Sequence, residues 1–193
     1  MGDADEGRWE VVDSRPIYSN EWINVAMADV VLPSGERITH HMVLMPAAAM
    51  TVVFNDDDDA ILMSWRHRFV PDVWNWELPG GIVDQGEEPA ETAAREIVEE
   101  TGYRPRNLAH LTSFEPMIGM VTSPHHVFVA HGAERVAEPT EHDEGRFEWV
   151  PLDKVRTLIA AGEVRNAGAL VGLLYCLAIR GGKELPEPPS LPG

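Results

Sequence analysis

The chain has 193 residues, 44% of them apolar, enough for one sizeable hydrophobic core. Its formal charge of -17 argues against nucleic acid or an anionic membrane surface as a partner, since both select Lys- and Arg-rich faces. The single cysteine, Cys176, excludes an intrachain disulfide, and no apolar run reaches the length of a membrane span.

Residues 1–8 are polar and acidic and are expected as a flexible N-terminus; the start is unlike a secretion signal, so the cytoplasm is the expected compartment. β-Branched and aromatic runs at 9–18 and 22–32 predict strands, and the turn Pro33-Ser34-Gly35-Glu36 predicts a hairpin to a strand over 37–45. Two further apolar runs, 48–54 and 60–65, flank Asn55-Asp56-Asp57-Asp58-Asp59. That acidic stretch reads as a solvated hairpin tip, because carboxylates on a turn splay apart. A short strand over 74–78 ends at Pro79-Gly80-Gly81. Trp22, Trp74 and Trp76 offer either a stacking platform or core filling.

From Pro89 to Thr101 the pattern turns helical, with Ala90, Ala94, Ile97, Val98 and Thr101 along one side, Pro89 in the first turn and Gly102 just past the end. Strands are predicted at 108–115 and 126–131 around an irregular loop over 116–124, and another at 146–150. Pro151 opens a helix to about Ala161, and 164–180 forms a second, largely apolar helix that buries Cys176. Residues 183–193 hold four prolines without periodicity and are expected as a disordered tail. One domain over 9–182 is expected, of class α+β, arranged as an α/β/α sandwich with a mixed central sheet. In His40-His41 and His125-His126, adjacent strand residues point to opposite faces, which disfavours paired ligation.

The helix over 89–101 carries the chemistry. Glu96, Glu99 and Glu100 fall within about a third of its circumference, because residues three and four apart are neighbours. Like charges at these spacings destabilise a helix by roughly 0.2–0.5 kcal/mol per pair. A hard divalent cation removes that repulsion, and Mg2+ is held by a few carboxylates together with substrate phosphate oxygens. Upstream, the glycines after Glu77-Leu78-Pro79 permit close backbone approach and offer a carbonyl ligand. Glu87 sits where a carboxylate meets the positive end of the helix dipole and is placed to pair with Arg95.

Gly81, Glu87, Arg95-Glu96-Ile97, Glu99-Glu100 and Gly102-Tyr103 match the Nudix box at every defined position. With the N-terminal strands, the Trp-x-Trp-Glu-Leu-Pro-Gly-Gly entry and Trp149-Val150-Pro151-Leu152, the chain resembles the ADP-ribose pyrophosphatase branch of that family. The resemblance implies metal-dependent hydrolysis of the diphosphate of a nucleoside diphosphate derivative, with Mg2+ (or Mn2+) as cofactor. It implies Glu96, Glu99, Glu100 and the Gly80 carbonyl as metal ligands, Glu99 and Glu100 in catalysis, and Gly81, Glu87 and Arg95 as supports. The catalytic base would come from the loop before the last strand, where Glu141 and Glu144 are the candidates. Arg66, Arg68 and Glu77 would meet the substrate. A homodimer is also implied.

Where the branch carries a Pro-Ser-Pro-Gly-like loop this chain has Pro116-Met117-Ile118-Gly119. ADP-ribose or a related nucleotide sugar leads; NADH and GDP-mannose stay open. A nucleotide-sugar sensor that binds without cleaving is the remaining alternative.

Overall fold

The computed structural model describes residues 7–141 and 145–180. The tail expected at 183–193, most of the N-terminus expected at 1–8, and Glu144 lie outside them. The described residues group into two compact units, 7–46 with 115–124, and 47–114 with 125–141 and 145–180.

The first unit is a four-stranded sheet in the order β1 (Glu10–Ser19), β2 (Asn24–Val31), β3 (Arg37–Leu44), β10 (Val121–Thr122). The predicted turn closes β2 on β3, with Gly35 N–H donating to the Leu32 carbonyl and Gly35 at φ +85°. Strand β10 lies inside the segment expected as an irregular loop and pairs parallel with β3. Two residues carry no periodicity, so nothing local announces it. Ile118, in the turn before it, is 85% exposed.

The second unit contains the seven-stranded sheet. Its order is β13 (Arg146–Pro151), β5 (Ala60–Arg68), β4 (Ala48–Phe54), β11 (His125–His131), β9 (Ala109–Phe114), with β6 (Val73–Glu77) on β5 and β7 (Gly80–Ile82) on β4. The sheet is mixed, since β11 runs parallel to β4 and the other pairings are antiparallel. Strands β8 (Tyr103–Pro105) and β12 (Ala133–Arg135) form a separate ribbon.

Alternation along β4 assembles the sandwich. Val52 and Phe54 pack with Val155 and Leu158 of α2 (Leu152–Ala160) and with Leu173 and Cys176 of α3 (Ala167–Arg180). Val53 and Ala49 pack with Ile97 and Ala93 of α1 (Pro89–Thr101). One helix thus covers one face and two cover the other, which is the α/β/α arrangement expected. Helix α3 starts at Ala167 rather than Val164, because Asn166 caps it by accepting from the Ala169 N–H at 3.0 Å. Of the three tryptophans, Trp76 is buried while Trp22 and Trp74 are exposed. Among the described residues no helix is long and apolar enough to cross a membrane.

Candidate active site

Helix α1 is fixed at both ends by groups the sequence supplies. Pro89 occupies its first turn, Glu91 accepts from the Glu88 N–H at 3.0 Å, and Gly102 closes it in the left-handed region at φ +74°. A Cβ at Gly102 would run into the Ala137 carbonyl, so the glycine also admits the next segment. That segment docks on the helix end: Val136 and Ala137 N–H donate to the Gly102 carbonyl, and Thr140 N–H donates to the Glu99 carbonyl at 2.8 Å. Glu141 N–H reaches the same Glu99 carbonyl at 3.3 Å. The loop bearing Glu141 is therefore hung from carbonyls that the end of a helix leaves without intrahelical donors.

Arg95 holds the polar face together. Its Nε and Nη2 donate to the two oxygens of Glu87, each at 3.0 Å, while Nη1 donates to Glu96 at 2.9 Å and to Glu99 at 2.8 Å. Thr92 Oγ1 adds a 2.6 Å bond to Glu87. The Arg95 fork and Thr92 draw the Glu87 carboxyl down to about 2, and the bonds to Glu87, Glu99 and Glu96 raise Arg95 above its ordinary value.

The three helix carboxylates have separate destinations. Glu96, Glu99 and Glu141 each offer an oxygen, and these oxygens lie within 4.8 Å of one another. Glu100, only 3% exposed, instead accepts from the Gly80 N–H at 2.9 Å and lies 3.7 Å from Arg66. Burial pushes its carboxyl up to about 8 despite the Gly80 bond, with Glu96 adding to the rise. Burial also raises Glu96, against the pull of Arg95. The set consists of oxygen donors only, two of them held by a guanidinium, which suits a hard divalent cation.

Strand β7 forms the wall opposite. Gly80 and Gly81 pair with Met50 and Ala49 of β4, and a Cβ at Gly81 would overlap the Glu96 carboxylate. The box glycine is thus the space in which Glu96 sits. Arg66 and Arg68 stand two apart on β5 and line the same cleft of about 340 Å3 as Glu96, Glu100 and Glu141. Arg68 makes a two-bond fork with Glu77 at 2.9 and 2.6 Å, and Asn75 donates to the same carboxylate at 3.0 Å. Burial opposes ionisation of Glu77, and these donors outweigh it, so the carboxyl stays below its ordinary value. Burial and the neighbouring Arg68 lower Arg66.

Every described residue of the expected site lies in the second unit. Two further polar residues line the cleft: His125, which as one of two adjacent strand histidines gives no ligand signal in the sequence, and Asn166, which signals itself only as a helix cap.

A family model described as the NUDIX domain matches residues 44–170, and one described as the nucleoside diphosphate sugar hydrolase N-terminal domain matches residues 9–43. A CMP-5'-(N-acetyl-N-hydroxy-3-aminopropyl)phosphonate hydrolase of Streptomyces rubellomurinus (strain ATCC 31215) is 48% identical over 180 residues, covering 93% of this chain and 87% of its own. An ADP-ribose pyrophosphatase of Bacillus subtilis (strain 168) is 31% identical over 169 residues, covering 86% and 91% respectively. The crystal structure of an ADP compounds hydrolase shares the fold, with a TM-score of 0.79 at 19% identity over 91% of this chain and 95% of that one.

Proposed function

Because the chain belongs to the Nudix family and is a hydrolase of nucleoside diphosphate derivatives, we propose that it cleaves a P–O–P anhydride between a nucleoside 5'-phosphate and a second group, with Mg2+ bound. ADP-ribose or a related nucleotide sugar is the leading substrate. The observation that carries the reading is the convergence of Glu96, Glu99 and Glu141 beside Gly81. Glu96 and Glu99 would hold the ion, with the Gly80 carbonyl as a further donor.

A divalent cation there supplies neutralisation of phosphate charge and acidification of a bound water. The protein does the rest by positioning. Arg95 fixes the rotamers of Glu96 and Glu99, while Glu100, tied to the Gly80 N–H, holds β7 against α1 and orders the backbone that meets the substrate. Arg66 draws a phosphate oxygen into the cleft, and Glu77 holds Arg68 in place beside it. Glu141, hung from the end of α1, takes the proton of the attacking water. The water oxygen bonds to phosphorus, the bridging P–O bond breaks, and a nucleoside monophosphate leaves with the phosphorylated second group.

A second reading places a phosphonate in that second group, favoured by the 48% identity to the CMP-phosphonate hydrolase. One panel separates the readings: ADP-ribose, GDP-mannose, NADH and a CMP-linked phosphonate, each with Mg2+ and with product identification. EDTA should abolish turnover and Mg2+ restore it; metal-independent turnover would refute the chemistry. A cytoplasmic homodimer is part of the proposal, tested by light scattering of the purified chain and by fractionation of the source cells.

A further inference from the structure

A second cavity of about 560 Å3 adjoins the carboxylate cleft, and Arg66, Arg68, Glu77 and Asn166 line both. The two are lobes of one extended groove within a single unit. A volume of that order is ample for a sugar phosphate. Phe69 and Val70, 84% and 83% exposed, give the second lobe an apolar lip.

The charge of this lobe runs against the whole chain. Among the described residues, Arg66, Arg68 and Arg165 line it with Glu77 as the only carboxylate, a local excess of positive charge in a protein of net charge -17. Arg68 and Glu77 satisfy each other, and Arg66 leans towards Glu100. Arg165 differs. Its Nε donates to the Gly162 carbonyl at 3.1 Å, and among the described residues it forms no ion pair. The neighbouring Asn166 cap fixes the start of α3, so the base of the Arg165 side chain is anchored where the two lobes meet. Arg165 lines the second lobe and not the carboxylate cleft.

We infer that the second lobe binds the non-nucleoside half of the substrate and that Arg165 selects substrates whose distal group carries a negative charge of its own, such as a sugar phosphate. The inference rests on the hydrolase reading for the location of the diphosphate. The apolar lip takes the body of that group, while Arg165 meets its terminal anion in a charge-assisted contact that a neutral sugar does not make.

The test compares ADP-ribose with ADP-ribose phosphorylated on its distal ribose, using the full chain with Mg2+. The phosphorylated substrate should show a KM lower by about tenfold. In Arg165→Gln the ratio of the two KM values should fall to near one, Arg165→Lys should restore part of it, and added salt should shrink it in the wild type. Calorimetry with ribose 1,5-bisphosphate against ribose 5-phosphate gives a readout independent of turnover and should show the same preference for the doubly phosphorylated probe. Hydrolysis of both substrates without discrimination, or discrimination that survives in Arg165→Gln, would overturn the inference. A calorimetric preference without hydrolysis of either substrate would instead sustain the subsite and refute the reading of the reaction.

Discussion

Replacing Gly81 by Ala separates the proposed metal site from the fold. The new Cβ would overlap one oxygen of Glu96 and lie 2.5 Å from its Cδ, whereas ordinary contact begins near 3.4 Å. The obstruction is the end of a flexible side chain, so the carboxylate must retreat by roughly 1 Å while the backbone keeps its pairing with Ala49. A displacement of that size at a reacting centre costs about 100-fold, or about 2.7 kcal/mol of transition-state stabilisation. Thermal unfolding should move by less than about 4 °C, because no backbone contact is lost. The assay is kcat/KM as a function of Mg2+ concentration beside a melting curve, with Mn2+ binding followed by electron paramagnetic resonance. Normal turnover and a normal Mg2+ midpoint would refute the role given to Glu96. Wholesale unfolding would equally refute it, since the space at Gly81 would then serve the fold.

Gly80→Ala should do the opposite. Its Cβ would meet the Ala49 carbonyl and lie 2.6 Å from Met50 Cα, both backbone, so a loss of about 3 kcal/mol and a melting point lower by on the order of 10 °C are expected in calorimetry. In Arg95→Lys one ammonium replaces a fork that spans three carboxylates, and kcat/KM should fall 10- to 100-fold; a change within twofold in steady-state rates would refute its orienting role. The metal-free protein should be pH-sensitive through Glu100. With its carboxyl near 8 in the fold against 4.5 as the ordinary value, the folded form holds the proton more tightly. That stabilisation is full below about 4.5 and is lost as pH rises through 8, at up to about 1.4 kcal/mol per pH unit. Melting curves in EDTA from pH 6 to 9 should show the decline, and Glu100→Gln should flatten it.

Most of what was legible in the sequence is local. Helix α1 announces itself by period, by Pro89 and by Gly102, and the β2–β3 hairpin by its turn, because each is decided within a few residues. Strands β7, β8, β10 and β12, of two or three residues each, are decided by partners far along the chain and leave no pattern. The carboxylates divide in the same way. Helix geometry places Glu96, Glu99 and Glu100 on one side, but only the approach of β7 diverts Glu100 to the Gly80 N–H. The position of Glu141 depends on the Glu99 carbonyl, a contact across 42 residues that no periodicity encodes. Arg165 stayed hidden because a lone arginine before a helix carries no signal until the groove around it is seen.

Arg95 has a consequence for how the protein acquires its metal. A guanidinium already bridges Glu87, Glu96 and Glu99, so an arriving cation meets ligands that are partly neutralised and must share them. On the proposed chemistry the empty site therefore binds Mg2+ loosely and exchanges it quickly, and the anionic diphosphate completes the coordination. Metal and substrate then arrive as mutually dependent ligands, each raising the affinity of the other by the same factor. The enzyme would not store its cofactor, and its rate would follow the free Mg2+ concentration.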